Sequence, residues 1–368
     1  MSNDDRTVLS TREEVLARAA TSHGLANTII RGLDLSGVDL SEVHFTQSLL
    51  ESVSLRGAKL GGVRLMRARF EACDFDGADL RGSSWFLVEA TGCKLRQADL
   101  DGCEMPMTRL ERCELLAARL IGASLEGVQL VGCDLSGANL GTATLAGAQL
   151  EQCVLDQAFL DGANLGAVTW AGGSARAARF LGAQLLEAKL TSLDVTGASF
   201  DRAVLLGAVW NRIRAVGAGF TDADLTGIEL TECDLSESNL LRAKLKGARS
   251  GEGPPLVAER ANLHGASLAG AHLPGVVLRR ANLSLADAGG AWLEGAHFDG
   301  AQLVRTNLDD AHLDGACFDR AVLDHVSFDG ASCRGAALGG ATLATIDLSR
   351  ARIDDADMAR VRVLAERA

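Results

Sequence analysis

The sequence predicts an all-β fold of the solenoid class, a chain wound into stacked coils rather than packed around a globular core. Three observations predict it. Every residue whose number is a multiple of five is apolar from Ile30 to Leu245, and every fifth residue from Leu263 to Val363 is apolar in a shifted frame. A second inward-type residue, mostly Ala and otherwise chiefly Val, Cys, Ser or Thr, stands two positions before each of these, with Asp or Asn often between them, as in "ANL", "ADL" and "CDL". Gly is frequent two positions after. A period of five is neither the 3.6 of a helix nor the 2 of a strand. It fits short extended segments in which positions i and i−2 point to one side, separated by corners where Gly, Asp or Asn supply the turn. Repeats must be read before length becomes a domain count, so 368 residues do not imply two ordinary domains. Aromatic content of 4%, no Tyr and 41 Gly fit a core of small aliphatic side chains.

The unit A-(D/N)-L-x-x resembles that of the pentapeptide-repeat family, and the resemblance covers most of the chain. It implies a right-handed quadrilateral β-helix with one pentapeptide per face and four per coil. About sixteen coils stacked at about 4.8 Å would give a rod on the order of 75 Å long.

Each segment has its own warrant. Residues 1–27 form an N-terminal segment that must close the first coil, because an open solenoid end exposes core and unpaired backbone. Within "STREEVLARAA", Thr11 and Glu14 predict a capping box, and Val15, Leu16 and Ala19 give the helix an apolar side. Residues 28–245 form the first repeat block. Residues 20 apart should stack there, so Cys73, Cys93, Cys113, Cys133, Cys153 and Cys233 fall in one inner column at position i−2. They read as small apolar fillers, since thiols in an apolar column stay protonated and inert. Trp85, Trp170 and Trp210 occupy leucine positions, each followed five residues later by Ala90, Ala175 or Ala215. A large side chain on one face is thus matched by a small one on the next, as close packing requires. Residues 246–260, "KGARSGEGPPLVAER", form a Gly/Pro loop insertion that bulges from a continuous rod rather than hinging two rods. Residues 261–368 form the second block, with "DMARVRVLAERA" as its C-terminal cap.

The functional reading starts from exclusions. A net charge of −12 without a basic stripe argues against direct nucleic-acid binding. No long apolar run or secretory signal is present, which predicts a cytoplasmic protein with no membrane association, and nine cysteines fit reduced thiols rather than a disulfide framework. No P-loop or nucleophile elbow occurs, and an interior filled by Leu and Ala leaves no substrate cavity. The chain therefore reads as non-enzymatic, with no cofactor and no metal. A zinc set of His297, Cys317 and His312 is disfavoured because flat faces do not converge ligands tetrahedrally.

Two outward features remain. The positions over the cysteine column carry the first block's surplus of acid: Asp34, Glu51, Glu71, Asp74, Glu111, Glu114, Asp134, Glu151, Asp194, Glu232 and Asp234, against Arg31, Lys94, Arg112, Arg212 and Arg214. This predicts an acidic face, either a docking surface for a basic partner or turn-forming Asp plus solubility. In the second block His272, Trp292 and His312 share one outward column, beside Val277, His297 and Cys317, and form a candidate aromatic/His patch.

The family resemblance implies partner proteins. Some members are DNA-mimicking binders of DNA gyrase and topoisomerase IV that confer resistance to topoisomerase inhibitors. B-DNA carries roughly one charge per 1.7 Å, a density the acidic face does not approach, so this stands as the alternative. The N-terminal stretch "STREEVLARAATSHGLANTIIRGLDLSGVDLSEVHF" resembles repeat proteins associated with type VI secretion spike genes, which implies an adaptor binding a spike or effector component. The first expectation is a protein-binding scaffold of that kind, its oligomeric state left open.

Overall fold

The computed structural model describes residues 6–364. The start of the 1–27 segment and the last four residues of the expected C-terminal cap lie outside that range. The chain divides into two compact units, Met1–Phe180 and Leu181–Ala368, and each is built of parallel coils of a right-handed quadrilateral β-helix.

In the first unit, strands at Thr28–Arg31, Leu49–Glu51, Arg69–Glu71, Glu89–Thr91, Arg109–Glu111, Gln129–Val131, Gln149–Val154 and Thr169–Ser174 pair in that order, one per coil. The register is set by the repeat: Leu130 lies between Leu110 and Leu150. In the second unit, Lys189–Thr191, Val209–Asn211, Glu229–Thr231 and Arg249–Ser250 pair likewise, as do Gln302–Val304, Val322–Asp324, Thr342–Ala344 and Arg362–Leu364.

Corners recur every five residues, at position i+2, and demand left-handed backbone. Gly57 has φ 59° there, but Arg67 at 52°, Gln152 at 51° and Arg242 at 54° adopt the same conformation. Glycine is favoured at the corner because it lacks the Cβ that makes this region costly. The acid before each central leucine acts on the same turn: Asp34 Oδ1 accepts the Ser36 amide at 2.9 Å, Asp74 the Asp76 amide at 3.0 Å, and Asp134 the Ser136 amide at 2.9 Å. These are side-chain mimics of a backbone turn, and they explain why the repeat prefers Asp or Asn at i−1.

The leucine and i−2 positions fill the interior. Leu130, Leu135 and Leu140 are at most 2% exposed. Trp85, Trp170 and Trp210 are buried, with Trp85 among Phe70 and Phe75, and Trp210 between Phe200 and Phe220. All nine cysteines are free. Within the first unit the thiols of Cys73, Cys93, Cys113, Cys133 and Cys153 each donate to a core carbonyl, as Cys133 does to Leu110 O at 3.3 Å. The ladder ends at Gly173, which pairs with Cys153.

At the N-terminal end the capping box forms as expected: Thr11 Oγ1 accepts the Glu14 amide at 3.1 Å and Glu14 Oε2 accepts the Thr11 amide at 3.3 Å, opening helix α1 at Arg12–Ala19. Val15 is buried, but Leu16 is 39% exposed and so is not part of the helix's buried side. Position 16 follows 15 by 100° around the axis, and the short helix covers the coil along one narrow stripe. A strand the sequence did not announce, Thr7–Leu9, adds in parallel below Thr28–Arg31 and pairs the edge of the first coil.

Within the second unit the pairs Asp234↔Val257, Asn239↔Asn262, Lys244↔Ser267 and Arg249↔His272 run through the insertion. Partners there are 23 residues apart instead of 20; the extra residues leave the coil as a loop and the next coil resumes in register. The C-terminal segment continues as coil up to Leu364, with Val363 76% exposed on its last turn.

Candidate interaction surface

A filled interior leaves chemistry to positions i−1, i+1 and i+2, which stack as outward columns. Burial silences the inner thiols that stand outside the stacked cysteine ladder: it pushes Cys103 up to about 12 and Cys233 up to about 11, far from the thiolate a reactive cysteine needs.

The expected acidic residues of the first unit are largely engaged with their own coils. Glu51 pairs with Arg31, Asp74 with Arg56 at 3.3 Å, Glu111 with Arg112 at 3.2 Å and Arg109 at 3.3 Å, and Glu114 with Arg96 at 3.3 Å. Asp34 and Asp134 brace turns, and the Ser36 hydroxyl and amide hold the Asp34 carboxyl below its usual range. Glu71 and Glu151 form no ion pair among the described residues. In the second unit Asp194 and Asp234 accept the amides of Thr196 and Ser236, each at 3.0 Å, and Glu232 is itself a corner residue with φ 53°.

The second unit brings His272, Trp292 and His312 into one column. Trp292 is 45% exposed, stacks on His312 at 4.2 Å and lies tilted against His272 at 5.6 Å. The two imidazoles therefore flank the indole. His297 stands apart from this stack, beside Asp299 at 3.6 Å.

The clearest patch was not singled out from the sequence. In the first unit strands His44–Thr46, Arg64–Met66 and Ser84–Phe86 pair side by side, which places Met66 directly beside Phe86. Leu87 follows Phe86 at a corner, and its amide donates to Pro106 O at 3.4 Å, next to Met107. Met66, Phe86, Leu87 and Met107 are all exposed, Met107 by 67%. Arg64 and Arg67 flank Met66, are exposed, and form no ion pair among the described residues. A groove of about 610 Å³, lined by Asn27, Gln47, Arg67, Arg69, Leu87 and Glu89, borders the patch. The signal was present in the sequence: two outward columns that hold Gly, Ala, Thr, Glu or Lys in most other coils hold Met, Phe and Leu in neighbouring coils here, and one of them holds Leu again at Leu186 and Leu206. Reading the columns for charge alone passes over it.

Among the described residues no helix is long and apolar enough to cross a membrane. The pentapeptide-repeats family profile matches in eight copies, over residues 48–84, 108–137, 133–168, 216–249, 261–300, 290–324 and 327–362, more than half of the chain. No curated protein matches. Among solved structures the chain is similar to HetL, a pentapeptide repeat protein involved in heterocyst differentiation regulation from the cyanobacterium Nostoc sp. strain PCC 7120, at 22% identity and TM-score 0.30 over 80% of this chain and 97% of that one. It is similar to QnrB1, a plasmid-mediated fluoroquinolone resistance protein, at 19% identity and TM-score 0.29 over 61% of this chain and 94% of that one. A third similar structure is a pentapeptide repeat protein from the Arabidopsis thaliana thylakoid lumen, at 24% identity and TM-score 0.17 over 27% of this chain and 65% of that one.

Proposed function

Because the chain belongs to the pentapeptide-repeat family, we propose that it is a non-enzymatic scaffold that holds a partner protein on its outer surface. The observation that carries this reading is the apolar patch of Met66, Phe86, Leu87 and Met107 beside the uncompensated cations Arg64 and Arg67. Exposed apolar side chains in contiguous columns mark a contact site when they are rimmed by charge. Aromatic and methionine anchors are typical of interface centres. The partner this surface fits presents apolar side chains next to Asp or Glu. Capture of a binding protein on the immobilised full chain tests the reading, with Phe86→Asp and Met107→Asp expected to lose it.

In its most specific form the scaffold is an adaptor for a type VI secretion spike or effector component, a reading supported by the N-terminal sequence resemblance. The second reading is a DNA-mimicking binder of gyrase or topoisomerase IV. Glu71 and Glu151, outward acids without cationic partners in the first unit, favour it; the ion pairs that occupy Glu51, Asp74, Glu111 and Glu114 rank it second. A gyrase supercoiling assay separates the two, since a scaffold of the first kind leaves supercoiling unchanged.

A further inference from the structure

Two consecutive coils of the second unit carry the tripeptides His297-Phe298-Asp299 and Cys317-Phe318-Asp319. The phenylalanines point inward and stack at 4.8 Å with their planes 5° apart. On either side of them the outward residues come into register, with His297 beside Cys317 and Asp299 below Asp319. Four donors of three kinds, imidazole nitrogen, thiol sulfur and two carboxylates, thus occupy a two-by-two array on a rigid floor. One coil below stand Val277 and Arg279, and one coil above Ala337 and Gly339, so the array has defined limits.

Three of the four donors converge more than a flat face suggests, and His297 adjoins them through Asp299. Ligand atoms of Asp299, Cys317 and Asp319 all lie within 4.8 Å of one another. Cys317 Sγ donates to Asp299 Oδ1 at 3.3 Å, and His297 Nδ1 is 3.6 Å from Asp299 Oδ2. Zinc holds sulfur at about 2.3 Å and carboxylate oxygen at about 2.0–2.2 Å, so donors around a tetrahedral ion stand about 3.5 Å apart. A second observation marks the same point. Asp299 Oδ2 is shielded from solvent and accepts no hydrogen bond; it is held only by loose ion pairs with Arg279 Nε and His297 Nδ1, each at 3.6 Å. A shielded carboxylate oxygen with ion pairs but no hydrogen bond leaves room for a closer ligand bond, and a metal ion nearer than Arg279 supplies one.

We propose that His297, Asp299, Cys317 and Asp319 form a binding site for a thiophilic divalent transition-metal ion of the zinc class. The thiolate and imidazole select against magnesium and calcium, which take all-oxygen sets. Binding replaces the Cys317 Sγ–H···Oδ1 hydrogen bond by a sulfur–metal bond, and the thiol proton passes to solvent. Asp319 keeps its Oδ1 hydrogen bond from the Gly339 amide, at 2.8 Å, and offers its other oxygen. His312, committed to the Trp292 stack, has no part in the site. The inference is independent of the partner-binding reading, since the two surfaces lie in different units.

The test uses the full chain without a histidine tag, reduced and stripped with a chelator, then titrated with Co(II) and afterwards with Zn(II). The expected result is one equivalent of cobalt bound with near-ultraviolet thiolate-to-cobalt charge-transfer absorption, and its displacement by zinc. Cys317→Ser removes that absorption and Asp319→Asn weakens binding at least tenfold, while circular dichroism stays unchanged in both. No charge-transfer absorption in the parent protein, or absorption that survives Cys317→Ser, overturns the site.

Discussion

Gly173→Ala and Gly147→Ala are the same chemical change at two left-handed positions of the first unit, and the coil geometry makes their costs diverge. Gly147 has φ 64° at an ordinary corner, and a Cβ added there meets nothing within 4 Å. Arg67, Gln152 and many other residues occupy the equivalent corner. The left-handed penalty of about 1–2 kcal/mol is partly offset by about 0.4–1 kcal/mol from the stiffer unfolded chain, leaving a net loss of roughly 1 kcal/mol or less. Gly173 has φ 92°, and its added Cβ would lie 1.9 Å from Cys153 O and 2.7 Å from the carbonyl carbon. Both atoms belong to a paired strand and cannot step aside without breaking the register. Unfavourable backbone conformation alone costs about 1–3 kcal/mol, and relieving a backbone overlap brings the total to the order of 4 kcal/mol or more. Urea unfolding followed by far-ultraviolet circular dichroism compares the two variants. Hydrogen exchange locates the damage, which should be confined to the neighbouring coils, because each repeat contacts only its neighbours. Equal midpoints for the two variants would refute the reasoning.

Three further outcomes follow from burial and pairing. With a thiol reagent at neutral pH the folded chain should modify Cys317 first and leave the buried cysteines unmodified until denaturant is added; rapid labelling of several thiols in the native protein would contradict the inert column. Burial raises Cys103 and Cys333 from 9.0 to about 12 and Cys233 to about 11. The unfolded chain therefore ionises these thiols first, and their stabilisation is full below about pH 9 and is lost as pH climbs toward 12. Denaturation midpoints should fall across that window, and fall less in a Cys103→Ala/Cys233→Ala variant; identical pH profiles would count against this. Charge reversal of Glu111, Glu114, Asp134 and Glu151 should leave partner capture within about twofold of the parent, because most of these acids serve their own coils; loss of capture would return the partner site to the acidic columns.

The fold was legible because a five-residue period has one economical meaning. Leucine at i, a small residue at i−2 and a turn former at i+2 specify inside, outside and corner together, and the Asp at i−1 acquired its role as soon as the Ser36 and Ser136 amides were seen to reach it. The strand at Thr7–Leu9 was not legible, since it lies outside the repeat and owes its conformation to the exposed edge of the next strand. The candidate sites were only half legible. Counting charge by column finds Asp74, Glu111 and Glu114 but not Arg56, Arg109 and Arg96, which reach them from columns outside that face, because those long side chains cross columns in directions the period does not encode. The same limit hid Asp299 and Asp319: sequence spacing paired His297 with Cys317, whereas the convergence arises between columns on either side of a buried phenylalanine.

The account's central claim, a scaffold that holds its partner at the apolar corner of the first unit, meets its most direct test in affinity capture by the full chain, compared with Phe86→Asp and Met107→Asp. The account predicts a saturable partner with apolar and acidic residues at its contact, lost in both variants and retained in the Glu111, Glu114, Asp134 and Glu151 reversal. A partner bound equally well by the parent and both patch variants would contradict it.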